Sequence, residues 1–555
     1  MRNLFVTGLC IIIVLIGYTK IKTSPHDIDK TALAKITSNK QISTISCSPD
    51  WTSYQLSFLE IQQMVPLPGT GSHKWQISTK NDSAQFYFNQ GINLYYGFHI
   101  IEALPSFKKA QIFDPECAML YWAEALAYGP NINDLGYAAS PAALIATKKA
   151  NALSNNASLK EKGLIQAIQV RYSDDSAHTR EYLNKLYSDK MEVLYNRFTS
   201  DADIGSLFAD ALMNEHPWDL WQHNGLPKPW TPKIEKILNN VLKISPEHPG
   251  ANHYYIHTME ASPYAYKATA SADRLVRLTP GLSHMVHMPS HIYIRTGNYK
   301  KGEEVNKMAI ESYFTYRELY PDVANNAPLY DIHNRHMKAA CSMNRNEYSS
   351  ALQDALDCRN SFDTSFLSMD APLGDYIQFV YVTPQLTMLT FEKWHDLLKE
   401  KDIDSRFHYA LLLQQFAKGM AYANTNNLKM AKASLTKLEE IMSLNKKRLS
   451  IVFAVFNAPI TGAIIANNIL KGTIAEKESN ISQAIKYYNI AVTAEDAMVY
   501  NEPRDWLTPA RHYLGKALLK ARKYKQAVTV FREDLKIHPK NYVATSGLKR
   551  AIAFK

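Results

Sequence analysis

Cysteine is the first scarcity. Only Cys10, Cys47, Cys117, Cys341 and Cys358 occur in 555 residues, and no two stand at C-x-x-C spacing. That is too few for a disulfide framework in a chain this long, so buried thiols are expected, with room for one incidental disulfide. Blocks of like charge are missing too. The formal charge of +10 is spread along the chain, with no Lys/Arg run and no basic stripe interleaved with aromatics. Nucleic-acid binding has no support in such a pattern, which reads as a solvated surface. Strand signals are nearly absent. No G-x-S-x-G, no phosphate-cradling glycine loop and no Cys/His nucleophile pair stands out.

Long apolar runs are limited to one, Leu4 to Gly17 behind Arg2. It has the length of a secretory signal and is short for a membrane span. Residues 1–22 therefore read as an export signal or, since Gly17-Tyr18-Thr19-Lys20 is a poor cleavage site, an uncleaved N-terminal anchor. Neither Cys10 nor Cys47 has a lipobox around it. The expected location is outside the cytoplasm, periplasmic or on the cell envelope, with membrane contact only through that N-terminus.

What is present is a repeat. At 555 residues the chain exceeds one ordinary core, and 46% apolar with 21% charged residues are globular values. Residues 23–75 form a polar leader with one short helix expected near Trp51–Val65. Beyond it, Gly91, Tyr95, Ala103, Phe107, Ala110 and Pro115 match the small and aromatic positions of a 34-residue helix–turn–helix unit, the tetratricopeptide (TPR) repeat. The template fits again at Gly419 and Ala431, at Gly472, Ala484, Tyr488 and Ala491, and at Gly515, Ala527, Phe531 and Pro539. Each unit leaves an apolar face that only a neighbour can bury, so an all-α solenoid of about seven TPR-like helical hairpins is expected. We divide it into an N-terminal repeat (76–135), a helical insertion with a Pro/Trp-rich loop (136–240), His-rich repeats (241–400) and C-terminal repeats (401–555). The loop MNEHPWDLWQHNGLPKPWTP, residues 213–232, reads as a rim or lid packed on the array.

Seven of the 18 histidines fall between residues 253 and 336, spaced H-x3-H, H-x2-H-x3-H and H-x2-H. These intervals stack side chains on one face of a helix. His253 and His257 lie 34 residues before His287 and His291, at matching positions of neighbouring repeats. Two histidines four apart turn both imidazoles to one side, and helices packed about 8–10 Å apart can close on a shared ion. His253, His257, His287 and His291 are the expected metal ligands. Glu260, His284, His333 and His336 are expected to orient them, to serve a second metal, or to touch substrate. An imidazole-rich set without cysteine suits a divalent transition metal such as zinc, copper or iron. HYYIH is not the HExxH of zinc proteases, so an ordinary zincin is excluded. Glu260 and Glu215 are the candidate catalytic bases, and Glu502 and Arg511, in YNEPRDWLTPARHYLG, are candidate substrate contacts.

Together HPGANHYYIHTMEAS, HMVHMPSHIYIRTGNY, YFNQGINLYYGF, MNEHPWDLW and YNEPRDWLTPARHYLG resemble a family of bacterial exported TPR-repeat proteins, over about residues 73 to 550. The resemblance implies a TPR solenoid with a shared histidine site at 253, 257, 287, 291 and 333 that lines the concave groove. It departs at two places. Ile100 stands where the family carries histidine, and Pro503-Arg504-Asp505 stands where it carries two prolines before Trp506. Two functions remain open at this point. One is a binding or scaffold module whose groove takes a peptide, glycan or protein with a metal alongside. The other is a metal-dependent enzyme, a hydrolase or an oxygen-dependent oxidoreductase, built on the same solenoid.

Overall fold

The computed structural model describes residues 61–134, 137–319, 327–452 and 456–554. The expected export signal, most of the polar leader and most of its expected helix lie outside them. Among the described residues every regular element is a helix, and the one extended pairing is an antiparallel bridge between Trp221 and Pro227. No helix among them is long and apolar enough to cross a membrane.

The repeat is visible in how its helices end. Helix α1 (Asp82–Tyr96) turns into α2 (Ile100–Phe113) through Phe98, which is left-handed at φ +57°. The His99 N–H then donates back to the Leu94 carbonyl at 3.0 Å. This six-residue closure satisfies a carbonyl that the helix end would otherwise leave unpaired. It recurs at Asn298 to Tyr293, Lys393 to Met388, Asn427 to Tyr422, Asn480 to Ala475 and Lys523 to Leu518, at 2.8–2.9 Å. The left-handed residues there are Gly297, Glu392, Asn426, Ser479 and Arg522, and Asn346 takes the same slot between two further helices.

Seven residues before that slot, four repeats carry glycine: Gly419, packed under Leu470, and Gly91, Gly472 and Gly515, each packed under a ring. A Cβ on each of the last three would lie 2.4 Å from the ring of Phe107, Tyr488 or Phe531, the residue 16 positions on. The two helices of these hairpins therefore cross at ring-to-backbone contact, which is why the position needs no side chain.

One apolar core runs from Met64 to Val305 and a second from Phe379 to Ala551, with a small cluster around Ile332, Cys358 and Ile377 between them. The described cysteines, Cys117, Cys341 and Cys358, are buried free thiols. The C-terminal repeats turn back onto the middle of the chain. The Tyr299 hydroxyl donates to the Pro539 carbonyl at 2.7 Å, and Asn541 bonds Asn344 at 3.0 Å. Gly297, at φ +69°, sits beneath that carbonyl, and a Cβ there would be 2.4 Å from the Pro539 oxygen.

Candidate metal centre

Four helices carry the histidines. Helix α3 (Pro249–Glu260) begins with proline at a position whose N–H has no helical partner, and His248 caps it by accepting from the Ala251 N–H at 3.1 Å. All twelve of its residues are buried, so this helix runs through the interior rather than over it. Next come α4 (Ser283–His287) and α5 (Pro289–Arg295), separated by Met288, which keeps right-handed helical angles. Pro289 opens the second segment, and His284 and His287 sit on a short helix of their own rather than on a loop. Helix α6 (Ala327–Asn344) brings His333 and His336.

The rings gather into two groups. His253, His257 and His284 form one, and His287, His291 and His333 the other, with one nitrogen from each residue within 4.8 Å of the rest of its group. The four histidines expected as ligands thus fall two to each group, and His284 and His333 complete the threes. The groups adjoin: the ring centroids of His257 and His291 are 6.3 Å apart, and those of His284 and His287 are 6.2 Å apart.

Hydrogen bonds fix the orientation of four rings. His253 Nδ1 lies 2.6 Å from the Tyr96 carbonyl oxygen, which can only accept. His257 Nδ1 lies 2.8 Å from Glu260 Oε1, and His291 Nδ1 bonds Glu260 Oε2. His287 Nδ1 lies 2.6 Å from Asn306 Oδ1, and Asn306 spends its amide N–H on the Gly302 carbonyl, so its oxygen faces the ring. Each of these Nδ1 atoms therefore donates, and each Nε2 of the neutral ring is left with a lone pair. Those lone pairs converge. His287 Nε2 is 2.8 Å from His291 Nε2 and 3.0 Å from His333 Nε2, and His253 Nε2 is 3.2 Å from His284 Nε2. His257 Nε2 is buried with no partner. Two facing lone pairs cannot bond each other. Between His287 and His291, whose Nδ1 atoms are both committed, a cation must therefore stand, either a proton or a metal, whereas His284 and His333 are free to donate from Nε2.

The electrostatics fit a set of neutral ligands. Burial, and then neighbouring imidazoles, push His253, His284 and His287 well below the ordinary histidine range. Burial brings His333 and His336 down to about 3. Burial works against the Glu260 carboxylate, but His257 and His291 hold it down at about 2. Burial also opposes a charge on His291, yet Glu260 raises that ring above its usual value. One fully buried carboxylate thus orients a histidine in each group, the arrangement that sets ring tautomers around metals.

The cluster is closed rather than lining an open groove. Phe98 lies 4.5 Å from His253, 5.6 Å from His257 and 5.8 Å from His284, ring to ring. Trp218, left-handed at φ +60° in the Pro/Trp-rich loop, brings its ring 5.6 Å from His257. Tyr330 covers His284 at 5.3 Å. Ile100, where the resemblance expects histidine, is buried. Its neighbour His99 is close enough to disfavour charge on His253 and His284.

Of the other expected residues, His336 is buried against Phe379 with both ring nitrogens unpartnered, outside either group. Glu502 is buried facing His291 and Arg295, and burial pushes its carboxyl up to about 7. Glu215 instead accepts from Ser188, and Arg511 pairs with Asp496 at 2.5 and 2.7 Å. Both lie outside the cluster.

No family model matches the chain, and no curated protein matches it. Solved helical-repeat structures do. Yeast Tom70 matches at 10% identity over 85% of this chain and 89% of its own, with a TM-score of 0.29. The human IFIT1 dimer with m7Gppp-AAAA matches at 12% over 86% and 91%, with a TM-score of 0.29. The APC/C Cut9–Hcn1 hetero-tetramer matches at 13% over 86% and 78%, with a TM-score of 0.28.

Sequence reading missed Asn306, Tyr96 and Phe98. Asn306 was legible in principle: it stands 16 residues after Ser290, the slot that holds Phe107, Tyr488 and Phe531 in other repeats. A third set, His73, Asp203 and His248, also gathers. There His248 Nδ1 is occupied by the helix cap, and Asp203 takes His73 at 2.8 Å, His248 at 3.2 Å and the Tyr96 hydroxyl at 2.8 Å. With the Nδ1 lone pair of His248 spent and its Nε2 at the carboxylate, this set is a brace behind Tyr96, whose carbonyl holds His253.

Proposed function

We propose that this protein is an exported TPR-like scaffold whose central repeats hold divalent transition metal on the histidine cluster. The observation that carries the reading is the 2.8 Å approach of His287 Nε2 to His291 Nε2 while both Nδ1 atoms are committed as donors. A metal resolves that conflict by drawing the nitrogens to about 3.3 Å from one another around bonds of about 2.0–2.1 Å. Burial of the rings sets the limit on what reaches the ion. Small molecules fit that limit, and a peptide, glycan or protein partner docks on the outer repeat surfaces instead. The test is metal content by mass spectrometry on protein purified without nickel resin or chelator, for wild type and a His253→Ala/His287→Ala double variant. Near-stoichiometric metal in wild type, lost in the variant with helicity retained, is the expected result. No metal in either protein, even after reconstitution, overturns the reading.

Glu502 favours a second reading, a metal-dependent enzyme. Its carboxyl, poised at about 7 beside His291, is matched to proton transfer at neutral pH, and it lines a cavity of about 30 Å³ with Arg295 and Arg504. On this reading Glu502→Gln keeps its metal and loses turnover. A panel of ester and phosphodiester hydrolysis and oxygen-uptake assays that shows no turnover in metal-loaded wild type sinks it.

A further inference from the structure

Six imidazoles in two adjoining threes are more than one ion needs, and the kind of ligand limits the kind of ion. Neither group contains a thiolate or a carboxylate ligand, and each offers three nitrogens. Structural zinc takes four protein ligands, so three neutral rings leave it one short. Charge narrows the choice further. Glu260, whose two oxygens accept from His257 Nδ1 and His291 Nδ1, is the one carboxylate that bridges both groups, and it is wholly buried. Two divalent ions would bring four positive charges against it in a low-dielectric interior, where unpaired charge is costly. Two monovalent ions bring half that. A cavity of about 10 Å³ beside His257, walled by Ile132, Met213, His216, Trp218 and Leu220, has room for about one water, too little to screen the excess.

We infer that the two three-histidine groups form one paired copper site, each group holding a copper(I) ion in three-coordinate geometry. This rests on the metal-binding reading above and narrows it to one element, two ions and one oxidation state. Imidazole is a good copper ligand, and copper(I) accepts three ligands without a fourth. His257 and His291, on the two sides of the pair, share Glu260, so loading one group orients a ligand of the other.

The test is anaerobic titration of metal-free full-length protein with copper(I) against a chromogenic copper(I) chelator, and in parallel with zinc. Two copper ions per chain are expected, falling to one in His284→Ala and one in His333→Ala, with far-UV circular dichroism unchanged. Chemical oxidation of the loaded wild type to copper(II) supplies a readout that does not depend on either variant folding. The two ions then broaden each other's electron paramagnetic resonance signal, as isolated ions do not. One ion per chain, a signal of isolated copper(II), or displacement of copper(I) by an equal concentration of zinc overturns the inference while leaving a metal site standing. Failure to bind either metal removes the underlying reading as well.

Discussion

Acidification from about pH 7.5 to pH 5.5 should cost the metal-free protein at least roughly 3 kcal/mol of stability. The cause is the store of buried neutral imidazoles. An unfolded histidine has a pKa near 6.5 and takes up a proton across this window. His333 and His336, lowered to about 3 by burial, do not. A group whose folded pKa lies below its unfolded value favours unfolding as pH falls through the unfolded value. For such a ring the loss is RT ln(1 + 10^(6.5 − 5.5)), about 1.4 kcal/mol at pH 5.5. His333 and His336 together therefore remove roughly 3 kcal/mol. His253, His284 and His287 act in the same direction, each held well below the ordinary range. The full loss therefore exceeds that of His333 and His336 alone, a sizeable share of the stability of many domains. His291 works the other way, since its raised pKa adds stability below 6.5, and it trims the sum. Glu260 takes no part here, because its contribution is lost only between its unfolded value and about 2. Urea denaturation of chelator-treated protein at the two pH values measures the difference. His336→Leu, which removes one such ring outside the two groups, should shrink the difference by about 1.4 kcal/mol. Equal stability at both pH values, within about 1 kcal/mol, would refute the account of neutral rings.

Glu260→Gln replaces one acceptor with an amide donor that faces a donating Nδ1, so metal affinity in a competition titration should fall by roughly 10–100-fold. Gly472→Ala places a Cβ 2.4 Å from the Tyr488 ring and should cost on the order of 1–3 kcal/mol in chemical denaturation. The left-handed slots give a paired contrast in thermal melts. Arg522→Gly should be neutral or stabilising by up to about 1 kcal/mol, because only backbone strain is relieved. Gly297→Asn, in the equivalent slot, should destabilise, because its Cβ meets the Pro539 carbonyl.

The all-α repeat fold was legible because its signals are periodic and local. Gly91, Gly472 and Gly515 announce the crossing points, and the rings 16 residues on announce what fills them. Histidine spacing gave the members of the cluster for the same reason, since i,i+3 and i,i+4 neighbours on a helix must share a face. Its division into two threes was not legible. That depends on how α3, α4, α5 and α6 rotate against one another, which no single helix encodes. Glu215 stood in a promising loop sequence, yet Ser188 on the preceding helix claims it, because a side-chain partner on another helix leaves no mark on the local pattern. The covering of the site by Phe98, Trp218 and Tyr330 belongs to the same class. A groove inferred from a generic repeat says nothing of what a particular loop drops into it.

The contact of the last repeat with Tyr299 and Gly297 changes how the chain should come apart. A stack of repeats ordinarily frays from its ends, since each unit answers only to its neighbours. Here the bond from Tyr299 to Pro539 spans 240 residues and ties the far end to the middle. The intervening repeats are enclosed in a loop whose closure entropy is lost once, when the ends meet. Folding of this half should accordingly be slow to nucleate, for the decisive contact has high sequence separation. Once closed, its repeats release together and not one by one. The histidine-bearing helices stand at the seam of that loop, so synthesis of the C-terminal repeats is the step that should complete their surroundings.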